Sequence, residues 1–216
     1  MKYPRTLHVP WSLGSTNDDK FVSEEVILAK FSGQRIIITE KRDGENTTMK
    51  PDKIHARSLD SNNHPSRNWV KGLWGSIKHE IPTNWRICGE NLYAKHSISY
   101  DNLTSYFEVF NIWDGEICLS WGETVEYTKL FDLQHVPVLY DGIFDYLLIK
   151  NFHNQLNLDI AEGYVIRTAE SFHYNEFNQN VFKWVRKNHV QTTDHWMSAE
   201  LIPNVLTSVN IHDVRI

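Results

Sequence analysis

Lys41 opens the run Lys41-Arg42-Asp43-Gly44 directly after the apolar segment Ile36-Ile37-Ile38, and Asn46 follows shortly beyond the glycine. A strand that delivers a lysine into a tight glycine-containing turn can present the amine as a nucleophile. An ordinary lysine titrates near ~10.4, so at neutral pH the amine is protonated and cannot attack. Neighbouring cations, a bound metal or a phosphate-binding lysine can shift the balance toward the free amine, which can then bond to phosphorus. Asp-Gly is also a common turn dipeptide, so a surface hairpin is the competing reading.

Further residues of chemical interest fall at strand ends or within strands. Glu90, in Cys88-Gly89-Glu90-Asn91, is an acid after a glycine, able to accept ribose hydroxyls or simply to close a turn. Phe110, within Tyr106-Phe107-Glu108-Val109-Phe110-Asn111-Ile112, is either core or a platform for a base. Glu162 immediately precedes the strand Gly163-Tyr164-Val165-Ile166-Arg167 and is suited to a divalent cation, directly or through water. Lys183 interrupts the apolar run Val181-Phe182-Lys183-Trp184-Val185. A cation there needs a partner, either a phosphate or Glu162, because an unpaired buried charge is costly. For Arg57 the choice lies between phosphate or sugar contact and a surface ion pair.

The elements that must position these side chains are legible in outline. Asn17-Asp18-Asp19 can cap a helix over residues 19–29, with Phe21, Val22, Val26 and Ile27 as its apolar stripe. Residues 35–41 read as a strand and 46–50 as its hairpin partner, followed by a short strand near 55–57 and a polar loop over 60–67. The patterning then predicts a helix over 69–77 and core strands over 85–93 and 106–113. A helix over 123–133, a strand over 136–140 and a helix over 144–152 follow. Strands over 164–167 and 181–185 and a mostly helical tail from residue 191 complete the expectation. Strands and helices do not alternate regularly, which favours an α+β domain built on antiparallel sheet. There is no glycine-rich phosphate loop to support a doubly wound parallel sheet.

The 216 residues suit a single domain, with 41% hydrophobic residues and eight tryptophans for its core. No apolar run approaches the ~18 residues of a membrane helix, and the N-terminus lacks a signal-peptide stretch. Cys88 and Cys118, in apolar strand contexts, read as reduced core residues. A cytoplasmic enzyme with no membrane partner fits these features. The net charge of -5 argues against indiscriminate nucleic-acid binding but leaves room for a local basic groove.

No single patch is specific, but their order is. Lys-x-Asp-Gly, Arg57, Gly-Glu, an aromatic strand, Glu-Gly-Tyr-Val-Ile-Arg and a lysine-bearing strand succeed one another between about residues 40 and 187. This resembles the ATP-dependent polynucleotide ligases, in the covalent nucleotidyltransferase superfamily that also holds the mRNA capping enzymes. Lys41, Gly44 and Asn46, with the Pro-Trp-Ser opening and Asp18-Asp19-Lys20, resemble the phage T4 RNA ligase 2-like group.

The resemblance implies an ATP-grasp-like adenylation domain of antiparallel sheets flanked by helices, with an ATP groove between the sheets. It implies that Lys41 forms a lysine–AMP phosphoramide, and that Glu40 lies near the adenosine. Asn46 would position a hydrated Mg2+ (or Mn2+) ion, and Arg57 would contact the nucleotide or a strand end. Glu90 would bind ribose, Phe110 stack on adenine, Glu162 orient the metal and Lys183 contact the α-phosphate. The substrates would be RNA ends or a nicked duplex, of RNA or RNA/DNA hybrid.

This sequence departs from the family in two respects. Val185 stands where a second lysine is usual, leaving Arg186 or Lys187 as substitutes, although Arg186 belongs to the opposite strand face. Fewer than 30 residues follow Lys187, so the expectation is one domain over 1–216. A full C-terminal oligonucleotide-binding barrel or helical domain would not fit, and an accessory protein could supply substrate grip. A minimal DNA ligase, a capping guanylyltransferase and a catalytically inactive end-binding module are the alternatives.

Overall fold

The computed structural model describes residues 1–16, 18–58, 63–187 and 201–207. Its first strands are β1 (Leu7–His8), β2 (Arg35–Lys41), β3 (Glu45–Met49), β4 (Ile54–Ala56), β5 (Trp85–Asn91) and β6 (Phe107–Asp114). They are followed by β7 (Ile117–Cys118), β8 (Gln134–His135), β9 (Val138–Ile143), β10 (Gly163–Thr168), β11 (Phe172–His173) and β12 (Val181–Val185). One sheet has the order β1-β12-β10-β2-β9; the other runs β11-β7-β6-β5-β3-β4, with β8 beside β6. Pairing is antiparallel except for β1 with β12 and β8 with β6.

Strand alternation divides the first sheet into two faces. Ile36, Ile38, Tyr164, Ile166, Phe182 and Trp184 turn outward and pack under α1 (Glu24–Phe31) through Ile27 and Phe31. A fully buried side chain of this size contributes roughly 1.5–3 kcal/mol over an exposed one. The second sheet is covered in the same way by α2 (Asn68–Ile77) and α3 (Trp121–Leu130), through Val70, Ile77 and Tyr127. The inner faces meet around Cys88, Trp113, Val165, Val181 and Phe177. Both cysteines are free and buried, as expected. The α+β antiparallel expectation therefore holds.

The predicted hairpin between 35–41 and 46–50 does not form. β2 pairs with β9 and β10, whereas β3 pairs with β4 and β5, so Arg42-Asp43-Gly44 carries the chain from one sheet to the other. A Cβ at Gly44 would lie 2.5 Å from the Asn91 carbonyl oxygen, so only glycine lets the crossover press against the end of β5. The register that results places Asn46 opposite Glu90.

Helix α1 begins at Glu24 rather than near residue 19, because the Ser23 hydroxyl caps it by accepting the Val26 N–H. Phe21 and Val26 are exposed while Val22 and Ile27 are buried, so the expected stripe is only half realised. Asn17 and residues 59–62 lie outside the described residues. The rest of the 60–67 loop includes a 3-10 turn, Pro65–Arg67, leading into α2. Of the tail expected to be helical, 188–200 and 208–216 lie outside the described residues. Residues 201–207 are extended and bridge Ala94 and Leu103 through Pro203 and Leu206. Among the described residues no helix is long and apolar enough to cross a membrane.

Candidate active site

Between the inner faces lies a cavity of about 240 Å³. Lys41, Glu40, Asn46, Arg57, Glu90, Phe110 and Lys183, all singled out in the sequence, line it. Lys41 and Lys183 reach it from the same face because β10 runs between their strands, with Gly163 opposite both Lys41 and Val185, and Val165 opposite Lys183. A Cβ at Gly163 would lie 2.0 Å from the Trp184 carbonyl oxygen, so the close approach of β10 to β12 beside Lys41 depends on this glycine.

Glu162 is buried directly behind the nucleophile candidate, its Oε2 2.5 Å from Lys41 Nζ. Burial works against the Lys41 charge, but Glu162, Glu90 and Asp43 outweigh it and hold the amine above its ordinary pKa. The groups nearest the amine are therefore carboxylates rather than the cations the sequence reading offered. Lys183 behaves oppositely. Burial and then the like charge of Lys41 push it below its ordinary value. Its carboxylate partner is not Glu162 but Asp19, at 3.8 Å. Asp19 also approaches His8 Nε2 at 3.3 Å and accepts the Thr16 N–H.

Glu40 accepts from Arg42 Nη1 at 2.8 Å, and Arg42 is fixed by a two-pronged pair with Glu108 at 2.7 and 3.1 Å. Glu108 was legible only as a carboxylate inside an apolar run. Arg42, Asp19, Arg5 and Arg167 also line the cavity and were not predicted as site residues. Arg57 is half-buried with no hydrogen-bond partner for Nε among the described residues, and burial and then Arg5 push its pKa down. A guanidinium in that state suits an anionic ligand.

Phe110 stands edge-on to Tyr3, with ring centroids 5.1 Å apart, and is only partly buried against Val165 and its neighbours. It is thus both part of the inner packing and a wall of the cavity. Arg186 does not reach the cavity. Its backbone N–H donates to the Glu162 carbonyl at 2.9 Å and its guanidinium to the Leu158 carbonyl at 3.0 Å. Regular alternation turns it away from Lys183, so the cofactor-binding role expected of Arg186 is withdrawn. Val185 is buried and takes no part in the lining.

Among the described residues Asn46 Oδ1 is buried without a hydrogen-bond partner, an oxygen of the hardness that Mg2+ or Mn2+ prefers. Among the described residues no three His, Cys, Asp or Glu side chains converge as a ready-made cage. Asn46 therefore fits an ion that keeps waters and takes phosphate oxygens.

Glu90 accepts the Gly44 N–H at 3.2 Å, and burial raises its pKa from 4.5 to about 8, against the pull of Lys41. A carboxyl with a raised folded-state pKa holds an extra proton in the native protein, so stability falls as pH rises from 4.5 toward 8. Glu90→Gln is expected to flatten that decline, which cannot exceed about 1.4 kcal/mol per pH unit for one group. Urea unfolding of both proteins across that range checks it; parallel pH curves would disprove the assignment.

Two facing antiparallel sheets, flanked by helices and enclosing a lysine-bearing cavity, define a nucleotidyltransferase-type ligase fold. Solved structures agree. An archaeal ATP-dependent RNA ligase superposes with a TM-score of 0.56 at 14% identity, covering 86% of this chain and 48% of its own. A putative ATP-dependent DNA ligase from Aquifex aeolicus gives 0.55 at 19% identity, covering 86% and 50%. A Naegleria gruberi RNA ligase variant with ATP and Mn gives 0.51 at 16% identity, covering 89% and 62%. The chain thus spans only about half to three-fifths of these proteins' lengths. No curated protein sequence matches it. The RNA ligase family model, however, matches residues 34–185, and the chain belongs to that family.

Proposed function

We propose that this protein is an ATP-dependent RNA ligase that joins 5'-phosphate and 3'-hydroxyl ends through a lysine–AMP intermediate. The observation that carries this reading is that Lys41 and Lys183 line one cavity between the sheets while Glu162, behind that lining, pairs with Lys41. Family membership and the nucleotide- and Mn-bearing Naegleria structure support it.

In this reading ATP enters with its adenine against Phe110 and its ribose toward Glu90. Asn46 and Glu162 would hold a magnesium or manganese ion, which would supply positive charge to the phosphates. Lys41 loses its proton, attacks the α-phosphorus and expels pyrophosphate. Lys183 moves from Asp19 to offset charge on the α-phosphate oxygens. AMP then passes from Lys41 to a 5'-phosphate, forming a 5'-5' pyrophosphate. A 3'-hydroxyl attacks that activated end, seals the strand and releases AMP. Arg57, whose Nε has no hydrogen-bond partner among the described residues, is suited to hold a phosphate throughout.

The test is incubation with labelled ATP or GTP, followed by nicked RNA, DNA and hybrid duplexes of one sequence. Label from ATP alone and sealing of RNA nicks are expected; sealing of DNA alone would make this a DNA ligase. Phe110→Ala is expected to weaken ATP binding by about 1–3 kcal/mol, the usual range for lost base stacking. Calorimetric ATP titration checks this, and unchanged affinity would return Phe110 to a purely packing role.

A further inference from the structure

The turn that carries Lys41 is held from the far end of the chain. Asp43 Oδ2 accepts the Ile98 N–H at 2.8 Å, and the Asp43 N–H donates to the Tyr100 hydroxyl at 3.0 Å. The Arg42 guanidinium lies over the Tyr100 ring, 5.0 Å from its centroid. Arg42, Asp43 and Gly44 are the three residues that lead out of β2, so both sides of the crossover rest on the loop between β5 and β6.

That loop is in turn fixed by residues 201–207. The Asn204 side chain accepts the Tyr100 N–H at 2.9 Å and donates to the Leu92 carbonyl at 2.8 Å. The Asn204 N–H donates to the Tyr93 carbonyl, and the Val205 N–H to the Tyr100 carbonyl, each at 2.9 Å. Asn204 is 2% exposed. Its position demands a side chain that is acceptor and donor together, which neither an aspartate nor an aliphatic residue supplies.

We propose that the 201–207 segment, through Asn204, is a positioning element for the nucleophile. Asn204 fixes Tyr100, Tyr100 and Ile98 fix Asp43, and Asp43 fixes the direction in which Lys41 leaves β2. The inference rests on the ligase reading of Lys41. Asp43, Tyr100 and Asn204 do not line the cavity, so loosening this chain of contacts changes the line of attack rather than the hold on ATP. An in-line displacement is sensitive to such misplacement, and a shift of about 1 Å can cost about a hundredfold.

The experiment measures single-turnover adenylylation of the full chain over a range of ATP concentrations. Asn204→Ala and Tyr100→Phe are each expected to lower the saturated rate by about tenfold or more, with half-saturation changed less than about twofold. Ile202→Ala, in the same segment but with an exposed side chain outside this set of contacts, is the control and is expected to match wild type. If Asn204→Ala does not fold, Tyr100→Phe decides, because it removes one hydroxyl and keeps the ring. A wild-type saturated rate in folded Tyr100→Phe, or a defect confined to half-saturation, overturns the proposal. A wild-type chain that takes up no AMP would instead remove the ligase reading, and this inference with it.

Discussion

Lys41→Ala is expected to abolish transfer of AMP to the protein while leaving the fold in place. The side chain lies at the last residue of β2, and its neighbours Ile36, Ile37 and Ile38 carry the strand's packing. Loss of the nucleophile itself lowers a covalent mechanism by far more than about a thousandfold, because no other group reproduces the attack. Lys183, the other lysine lining the cavity, cannot take over readily, since it stands two strands away on β12. In the proposed mechanism the final sealing step uses an RNA 3'-hydroxyl rather than the lysine. The variant should therefore still join a strand supplied with its 5'-end already adenylylated. Mass spectrometry after incubation with ATP and magnesium, together with sealing of such a strand, checks both halves. An adduct on the Lys41→Ala protein would refute the nucleophile assignment.

Glu162→Gln is expected to produce the second largest effect, in two opposed parts. The carboxylate is the closest charge to the Lys41 amine and, with Glu90 and Asp43, holds its pKa up. Neutralising it makes the amine easier to deprotonate, so the rise of the adenylylation rate with pH should move to lower pH. The same substitution removes a negative charge proposed to help orient the metal ion, which should lower the maximal rate by about a hundredfold and weaken its dependence on magnesium. Because the folded-state pKa of Lys41 stands above its unfolded value, the pair's contribution to stability is complete at neutral pH. It is lost only as pH rises through that raised value. A loss of stability in Glu162→Gln at neutral pH is therefore expected as well, and rates must be compared per folded molecule. Rate profiles over pH and magnesium concentration provide the check. Undiminished magnesium-dependent turnover would remove Glu162 from the metal's surroundings.

The positions of the site residues were more legible than their partners. Apolar alternation located β2, β5, β6, β10 and β12 to within a few residues, because one face of each strand must be buried. Helix starts were less secure. Asp19 looked like a cap, but Ser23 supplied the cap, leaving Asp19 in the cavity wall beside Lys183. Short strands such as β1, β7 and β11 carry too few residues to leave a periodic trace, yet β1 covers the edge of β12.

The sequence by itself determined which strand carries a lysine into a glycine-containing turn, which strands would carry the accompanying charges, and that the sheets would be antiparallel. Those features follow from local patterning: a period of two, a glycine at the turn, charges interrupting apolar runs. Only the tertiary structure decided that Lys41 pairs with Glu162, 121 positions away, that Lys183 faces Asp19, and that Asn204 bonds the loop whose Tyr100 meets Asp43. It also decided that Arg42-Asp43-Gly44 crosses between sheets instead of closing a hairpin. The physical reason is that alternation assigns a side chain to a face, whereas its partner is set by strand order, register and close backbone approach at Gly44 and Gly163.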